Sequence, residues 1–273
     1  MQRFPTSPRE MIRSLWINRR LIRALTQREV LGRYRGSFMG ILWSFFNPVL
    51  MLLVYTFFFS VVFKARWGIS QEESKAQFAV VLFTGLIVHG LFAEILNRAP
   101  SLIIGNVNYV KKVVFPLEIL PVVIAGAALF HSLISFGVLL AAFFMFNGYL
   151  HWSAVFAPLI IFPLIVLTLG LGWALASLGV FLRDMGQTIG IITMIAMFLG
   201  PVFYPITNLP EALQSWVMLN PITFIIEQAR EVIIWGRMPN WIGLCAYSLV
   251  GTLVAWGGFA VFQGTRKGFS DVL

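Results

Sequence analysis

The chain is short of charge, of acid above all, and of cysteine. Lys, Arg, Asp and Glu make up 11% of its 273 residues, where a soluble globular domain carries about a quarter. Only 11 residues are acidic, and the aspartates are Asp184 and Asp271 alone. Two distant aspartates are poor material for a metal-dependent or general-base active site, which needs converging carboxylates. The single cysteine, Cys245, excludes an intrachain disulfide and a cysteine-based metal cluster, and reads as a small packing residue in an apolar run. No Gly-x4-Gly-Lys-Ser/Thr run occurs, and Gly32 to Ser37 contains glycine but no lysine. The backbone cradle that such a loop builds around nucleotide phosphates is therefore not encoded here. There is also no internal repeat or low-complexity tract, which weakens the case for a carrier built from inverted repeats.

What is present is hydrocarbon: 59% of the residues are hydrophobic. Crossing a bilayer as a helix takes about 20 apolar residues, because lipid offers no partner for backbone polar groups. Runs of that kind lie near 38–63, 78–95, 119–146, 155–182, 186–204 and 241–262. The expected fold is an all-α polytopic membrane protein of six transmembrane helices, with a cytoplasmic basic arm over 1–37 and a six-span transmembrane domain over 38–273. The arm is long and the first apolar run exceeds the core of a signal peptide, so that run is expected to stay as an anchor.

Cations set the orientation. Arg3, Arg9, Arg13, Arg19, Arg20, Arg23, Arg28, Arg33 and Arg35 all precede the first apolar run, and such residues are retained on the cytoplasmic side. Six crossings then put both termini inside. Arg98, Lys111, Lys112, Arg183, Arg266 and Lys267 fall on inner segments, against Lys64, Arg66, Lys75, Arg230 and Arg237 outside. A net charge of +9 is thereby explained by membrane orientation and lipid contact, and nucleic acid is not an expected partner.

Within the arm, Ser7-Pro8-Arg9-Glu10 has the form of a helix start, with Ser7 as cap. Met11, Ile12, Leu15, Trp16, Leu21, Ile22 and Leu25 recur at helical spacing among the arginines, as in an amphipathic helix lying in the headgroup layer. Arg33 and Arg35, just before membrane entry, are candidates to hold a pyrophosphate, since guanidinium pairs bidentately with phosphate. The spacings Gly36/Gly40 and Gly186/Gly190 suit close helix packing or a subunit seam. Glu94 and Arg98 are placed for an intrahelical pair, while His89 and His131 stand isolated in apolar sequence and read as satisfied polar side chains. Between 205 and 240 two short helices are expected, the second too short to cross and so re-entrant or interfacial. No metal site is expected.

Four runs carry a resemblance: Arg28 to Pro48 (REVLGRYRGSFMGILWSFFNP), Asn106 to Pro121 (NVNYVKKVVFPLEILP), Phe181-Leu182-Arg183-Asp184, and Asn220-Pro221-Ile222-Thr223. In this order they resemble the polysaccharide-exporting ABC transporter permeases, those of O-antigen, capsule and teichoic acid, with the O-antigen permeases nearest. The resemblance implies a bacterial inner-membrane homodimer carrying two separate nucleotide-binding ATPase subunits, which bind ATP and Mg. Its cargo would be an undecaprenyl-pyrophosphate-linked polysaccharide. It assigns Asn106, Tyr109, Lys111 and Lys112 to the inner gate or ATPase coupling, with Arg183 and Asp184 as further candidates. It favours a re-entrant outer gate in which Glu227, Arg230 and Glu231 face water or the second copy. Trp43, Tyr55 and Tyr204 are candidate channel aromatics, whose flat faces suit sugars. The rival readings are a membrane-embedded polyprenyl-phosphate glycan transferase, which the scarcity of acid disfavours, and an ion-coupled flippase, which would need charges at mid-membrane.

Overall fold

The computed structural model describes residues 5–62, 67, 75–111 and 115–273, with 60, 61 and 75–77 described as backbone only. All regular elements among the described residues are helical. The arm folds as α1 (Pro8–Ile17) and α2 (Arg19–Arg33). Ser7 caps α1 as expected, its hydroxyl oxygen accepting from the Glu10 N–H at 3.2 Å, with Pro8 in the first turn. Met11 and Leu15 pack on the bundle, whereas Ile12, Trp16 and Ile17 are exposed.

After α2 the chain turns through Gly36 (φ 82°) and Gly40 (φ 53°). Only glycine takes such angles without a Cβ penalty, so these two shape a turn. A Cβ added at Gly36, Gly40, Gly186 or Gly190 would meet nothing within 4 Å. The close helix packing expected at these pairs is therefore not made within this chain among the described residues.

The membrane helices follow: α3 (Trp43–Tyr55), continued by a π-helical turn over Thr56–Val62, and α4 (Lys75–Arg98). A short α5 (Val107–Lys111) lies before α6 (Leu120–Asn147), which is followed by α7 (Ala157–Phe181) and α8 (Met185–Leu199). Two short helices, α9 (Glu211–Val217) and α10 (Thr223–Ile233), occupy the stretch where a pair was expected. The chain ends with α11 (Trp241–Thr265) and α12 (Phe269–Val272). Among the described residues, five helical segments are long and apolar enough to cross a membrane: Gly40–Phe59, Phe78–Arg98, Leu117–Asn147, Trp152–Phe181 and Trp241–Val272. The other run expected to cross, 186–204, is cut short. Its helix has 15 residues, a rise of about 22 Å, and stops where the Tyr204 hydroxyl donates to the carbonyls of Phe198 (3.3 Å) and Leu199 (3.1 Å).

α7 and α11 run parallel. Gly251 lies beside Pro163, Gly170 beside Val254 and Gly258, and the Ser177 and Thr265 hydroxyls meet at 2.6 Å. A Cβ on Gly258 would come within 1.9 Å of the Gly170 carbonyl oxygen, so glycine is what allows this approach. One apolar cluster joins α4, α6, α7 and α10; a second, around Trp173, Phe259, Phe262 and Phe269, fills the opposite end. That end gathers distant parts of the chain. Ser14 of α1 bonds Glu118, Lys111 bonds the Leu273 carbonyl, and Trp256 Nε1 donates to the Thr6 carbonyl at 3.0 Å.

Candidate functional site

The arm reaches the membrane helices through Arg33. α2 lies on α6, with Thr26 against Gly126, and this carries Arg33 to a carboxylate on α4 and an imidazole on α6. Arg33 Nη1 donates to Glu94 Oε1 at 2.7 Å and to His131 Nδ1 at 2.9 Å. Arg98 approaches the same Glu94 oxygen at 3.9 Å and pairs more closely with Glu29 of α2. The expected Glu94–Arg98 pair thus exists but is the looser of two. Arg33 is engaged through Nη1, its charge balanced by Glu94, while its side chain stays half exposed. Arg35 does remain exposed, in a shallow groove with Arg28, Gln27 and Gly32.

Beside this cluster, between α3, α4 and α6, is a cavity of about 280 Å³. Asn47, Tyr55, Glu94, His131, Ser132 and Ser135 supply its polar lining; Pro48, Met51, Phe83, Leu86 and Ile87 supply the apolar wall. All of these residues belong to three of the candidate membrane spans. A second hollow of about 260 Å³ between α4, α6, α7 and α10 is nearly all hydrocarbon, with Thr84 and Ser132 its only hydroxyls. Of the expected channel aromatics, Tyr55 lines the polar cavity and Trp43 is exposed on α3 outside it. Tyr204 instead closes the end of α8.

The histidines part company. His89 Nε2 meets the Thr193 carbonyl oxygen at 3.0 Å and is the satisfied polar side chain expected of it. His131 is bonded at Nδ1, but its buried Nε2 has no hydrogen-bond partner among the described residues. Sequence reasoning missed this site because Arg33 lies 61 residues from Glu94 and 98 from His131.

At the end of the bundle that gathers Thr6, Glu118 and Leu273, Tyr109 stacks on Phe115 with ring centroids 4.3 Å apart, and its hydroxyl accepts from Arg28 at 3.1 Å. The Asn106 amide donates to the Leu102 carbonyl at 2.8 Å, while Lys111 is held at the C-terminus. Lys112 lies outside the described residues. Arg183 and Asp184 are exposed and form no ion pair with each other. The hub of this end is Glu118, which sequence reasoning did not single out. It is 7% exposed, accepts from the Ser14 hydroxyl at 2.7 Å and pairs with Arg266 at 2.7 Å. Its backbone carbonyl accepts from Trp173 Nε1 at 2.8 Å. A carboxylate placed directly before a long apolar run was the available signal, since such a group must find partners.

The outer candidates need correction. Arg230, expected to face water or a second copy, is 1% exposed. It donates to the carbonyls of Val81, Pro201 and Val202 and to Glu227, and its guanidinium lies 4.2 Å from the Trp67 ring centroid. The apolar surroundings that bury it make carbonyls its best available acceptors. Burial lowers its pKa to about 10, so it stays charged at neutral pH, and burial raises that of Glu227 against the pull of Arg230. Glu231 keeps partial exposure and approaches Arg237 at 3.5 Å. Among the described residues no three His, Cys, Asp or Glu side chains converge as metal ligands.

Comparison with known proteins agrees with the resemblance carried by the four sequence runs. The O-antigen export system permease protein RfbA of Myxococcus xanthus is 27% identical over 263 residues, 96% of this chain and 98% of that protein. An O-antigen export system permease protein RfbA of Klebsiella pneumoniae is 24% identical over 254 residues, 93% of this chain and 95% of that one. The family model described as ABC-2 type transporter matches residues 20–234, a stretch that runs from the arm helix bearing Arg33 through the buried Arg230 to the end of α10. The protein belongs to the ABC-2 type transporter family, as a membrane component of such a transporter.

Proposed function

We propose that this chain is the permease half of an ATP-driven exporter of a lipid-linked polysaccharide, with O-antigen as the cargo, in a bacterial inner membrane. The observation that carries this is similarity along nearly the whole chain to permeases named for O-antigen export. Two copies form the conduit, and two separate ATPase subunits bind ATP and Mg and supply the work. α3 and α8 bury few of their residues within the chain, which leaves faces for a second copy and for lipid.

The topology we favour has six crossings, an arm over 1–37, a permease domain over 38–273 and both termini in the cytoplasm. Support comes from the parallel run of α7 and α11, because the chain between them has to return across the bundle. α8 travels in that sense: Thr193 meets Asn97 near one end of α4, and Arg230 joins Val202 to Val81 near the other. The gathering of Thr6, Glu118 and Leu273 at one end agrees with it.

The substrate enters from inside. Arg35, exposed at the membrane entry, meets its pyrophosphate, while Arg33 fastens α2 to α4 and α6. Asn106, Tyr109, Lys111 and Lys112, with Arg183 and Asp184 in the neighbouring turn, take up the push of the ATPase. Glu227 and Glu231 line the outer mouth, which Arg230 holds in shape. Deleting the gene from the source organism tests the reading: surface polysaccharide is lost, lipid-linked glycan accumulates on the cytoplasmic side, and the intact chain restores export. Undiminished surface polysaccharide in the deletion strain contradicts it.

A further inference from the structure

The polar cavity between α3, α4 and α6 is built for a ligand that membrane lipid does not provide. Its wall comes from three candidate membrane spans, where a polar side chain is costly unless it faces a partner or a water-filled cavity. His131 Nε2 is the buried polar side-chain atom left without a partner among the described residues, and the exposed Asn47 and the half-buried Tyr55 and Ser132 line the same cavity beside it. Native proteins rarely leave such groups orphaned, and an orphaned one calls for a missing partner.

The chemistry of that partner can be narrowed. His131 Nδ1 lies 2.9 Å from Arg33 Nη1 and 3.5 Å from Glu94 Oε1; arginine can only donate, so the shorter contact makes Nδ1 the acceptor. The neutral ring then carries its proton on Nε2, and the orphan is a donor in need of an oxygen. The oxygen is not that of a phosphate, because the cluster has no cation to spare: Glu94 offsets Arg33 and Glu29 offsets Arg98. Opposite the polar edge stand Pro48, Met51, Phe83, Leu86 and Ile87. A neutral ring with hydroxyls on its rim and C–H groups on its faces matches both sides, and about 280 Å³ lies just under the roughly 300 Å³ at which small-molecule sites begin.

We propose that this cavity is a subsite for one uncharged sugar ring of the lipid-linked glycan, with His131 Nε2 donating to a ring or hydroxyl oxygen and Asn47, Tyr55 and Ser132 bonding the rim. The subsite rests on the proposed export function and adds to it where the sugar next to the lipid carrier is held. It separates sugar from pyrophosphate: Arg35 meets the phosphate, and the Arg33–Glu94 pair marks the sugar's edge.

The test is cysteine protection in everted membrane vesicles that contain the whole transporter. Ser135 lines this cavity and not the apolar hollow, so Ser135→Cys is introduced with Cys245→Ser and labelled with a small methanethiosulfonate reagent. Three membranes are compared: from cells making their own lipid-linked glycan, from cells blocked in its synthesis, and from the blocked cells with undecaprenyl pyrophosphate added. The proposal expects loss of labelling in the first only. Equal loss with undecaprenyl pyrophosphate assigns the cavity to phosphate or tail and overturns it, as does labelling that is the same in all three or absent from all three. A second measurement uses export itself: His131→Leu raises the glycan concentration needed for half-maximal transport, and His131→Gln, which keeps an N–H donor, restores it. Identical transport by both variants and the wild type also overturns the subsite. Absence of export by the wild-type chain in the same vesicles would instead overturn the proposed function, whatever the labelling.

Discussion

The two ends of the bundle each tuck away an arginine, and they hold it by different means. At the end that the proposed topology places outside, Arg230 spends its donors on the backbone carbonyls of Val81, Pro201 and Val202, helped by one carboxylate, Glu227. At the inner end Arg266 is held by the carboxylate of Glu118 and the Phe115 carbonyl, and Glu118 also ties in Ser14 of the arm. A carbonyl moves only when its helix or turn moves, so the outer joint locks α10 to α4 and to the turn after α8. A side-chain pair parts with a change of rotamer. The inner joint therefore joins arm, inner loop and α11 in a form that a modest push can rearrange, on the side where a nucleotide-driven partner would act.

Arg230→Met is the most severe way to break this comparison. It strands several carbonyls and Glu227, and stability should fall by roughly 3–5 kcal/mol, the range for breaking a buried ion pair. Loss of the monodisperse, folded peak on heating in detergent measures it, and wild-type thermal behaviour would dissolve the distinction between the ends. Glu118→Gln should cost less, roughly 1.5–3 kcal/mol for hydrogen bonds to a charged group. The same assay should give a smaller shift than Arg230→Met, and proteolysis should cut the arm sooner. Gly258→Ala lies between the ends, on the α7–α11 seam. Its methyl would press on the Gly170 carbonyl, and overpacking of this kind costs about 1–3 kcal/mol. Asp184→Asn should have the smallest effect on folding, within about 0.5 kcal/mol for an exposed site. Its expected effect is on export rate, so unchanged thermal stability with slower export would sharpen the assignment of this turn to coupling.

Much of the scaffold could be read from residues alone, because it rests on local signals. Apolar run length marked the long helices, Ser7-Pro8 marked the start of α1, and the thioether- and leucine-bearing face of α1 was visible in its spacing. What could not be read depends on distant partners. Nothing near Arg33 announces Glu94, 61 residues away, and nothing near Glu118 announces Arg266, 148 away. Arg230 was misplaced because an arginine in a short amphipathic helix is usually solvated, and the carbonyls that solvate it here come from other segments. The end of α8 at Gly200 was missed since hydropathy continues through Val202 and Phe203 while the backbone does not. Gly36 and Gly40 show the same limit: their spacing matches a packing motif, but their φ angles make them turn residues.

The central claim is that this chain is a conduit whose work is done by another polypeptide. Proteoliposomes loaded with lipid-linked glycan and containing this chain, with or without its nucleotide-binding partner, test that claim directly. The account predicts glycan appearing on the far side only when the chain, the partner and ATP are all present. Movement of glycan, or hydrolysis of nucleotide, by the chain alone would contradict it.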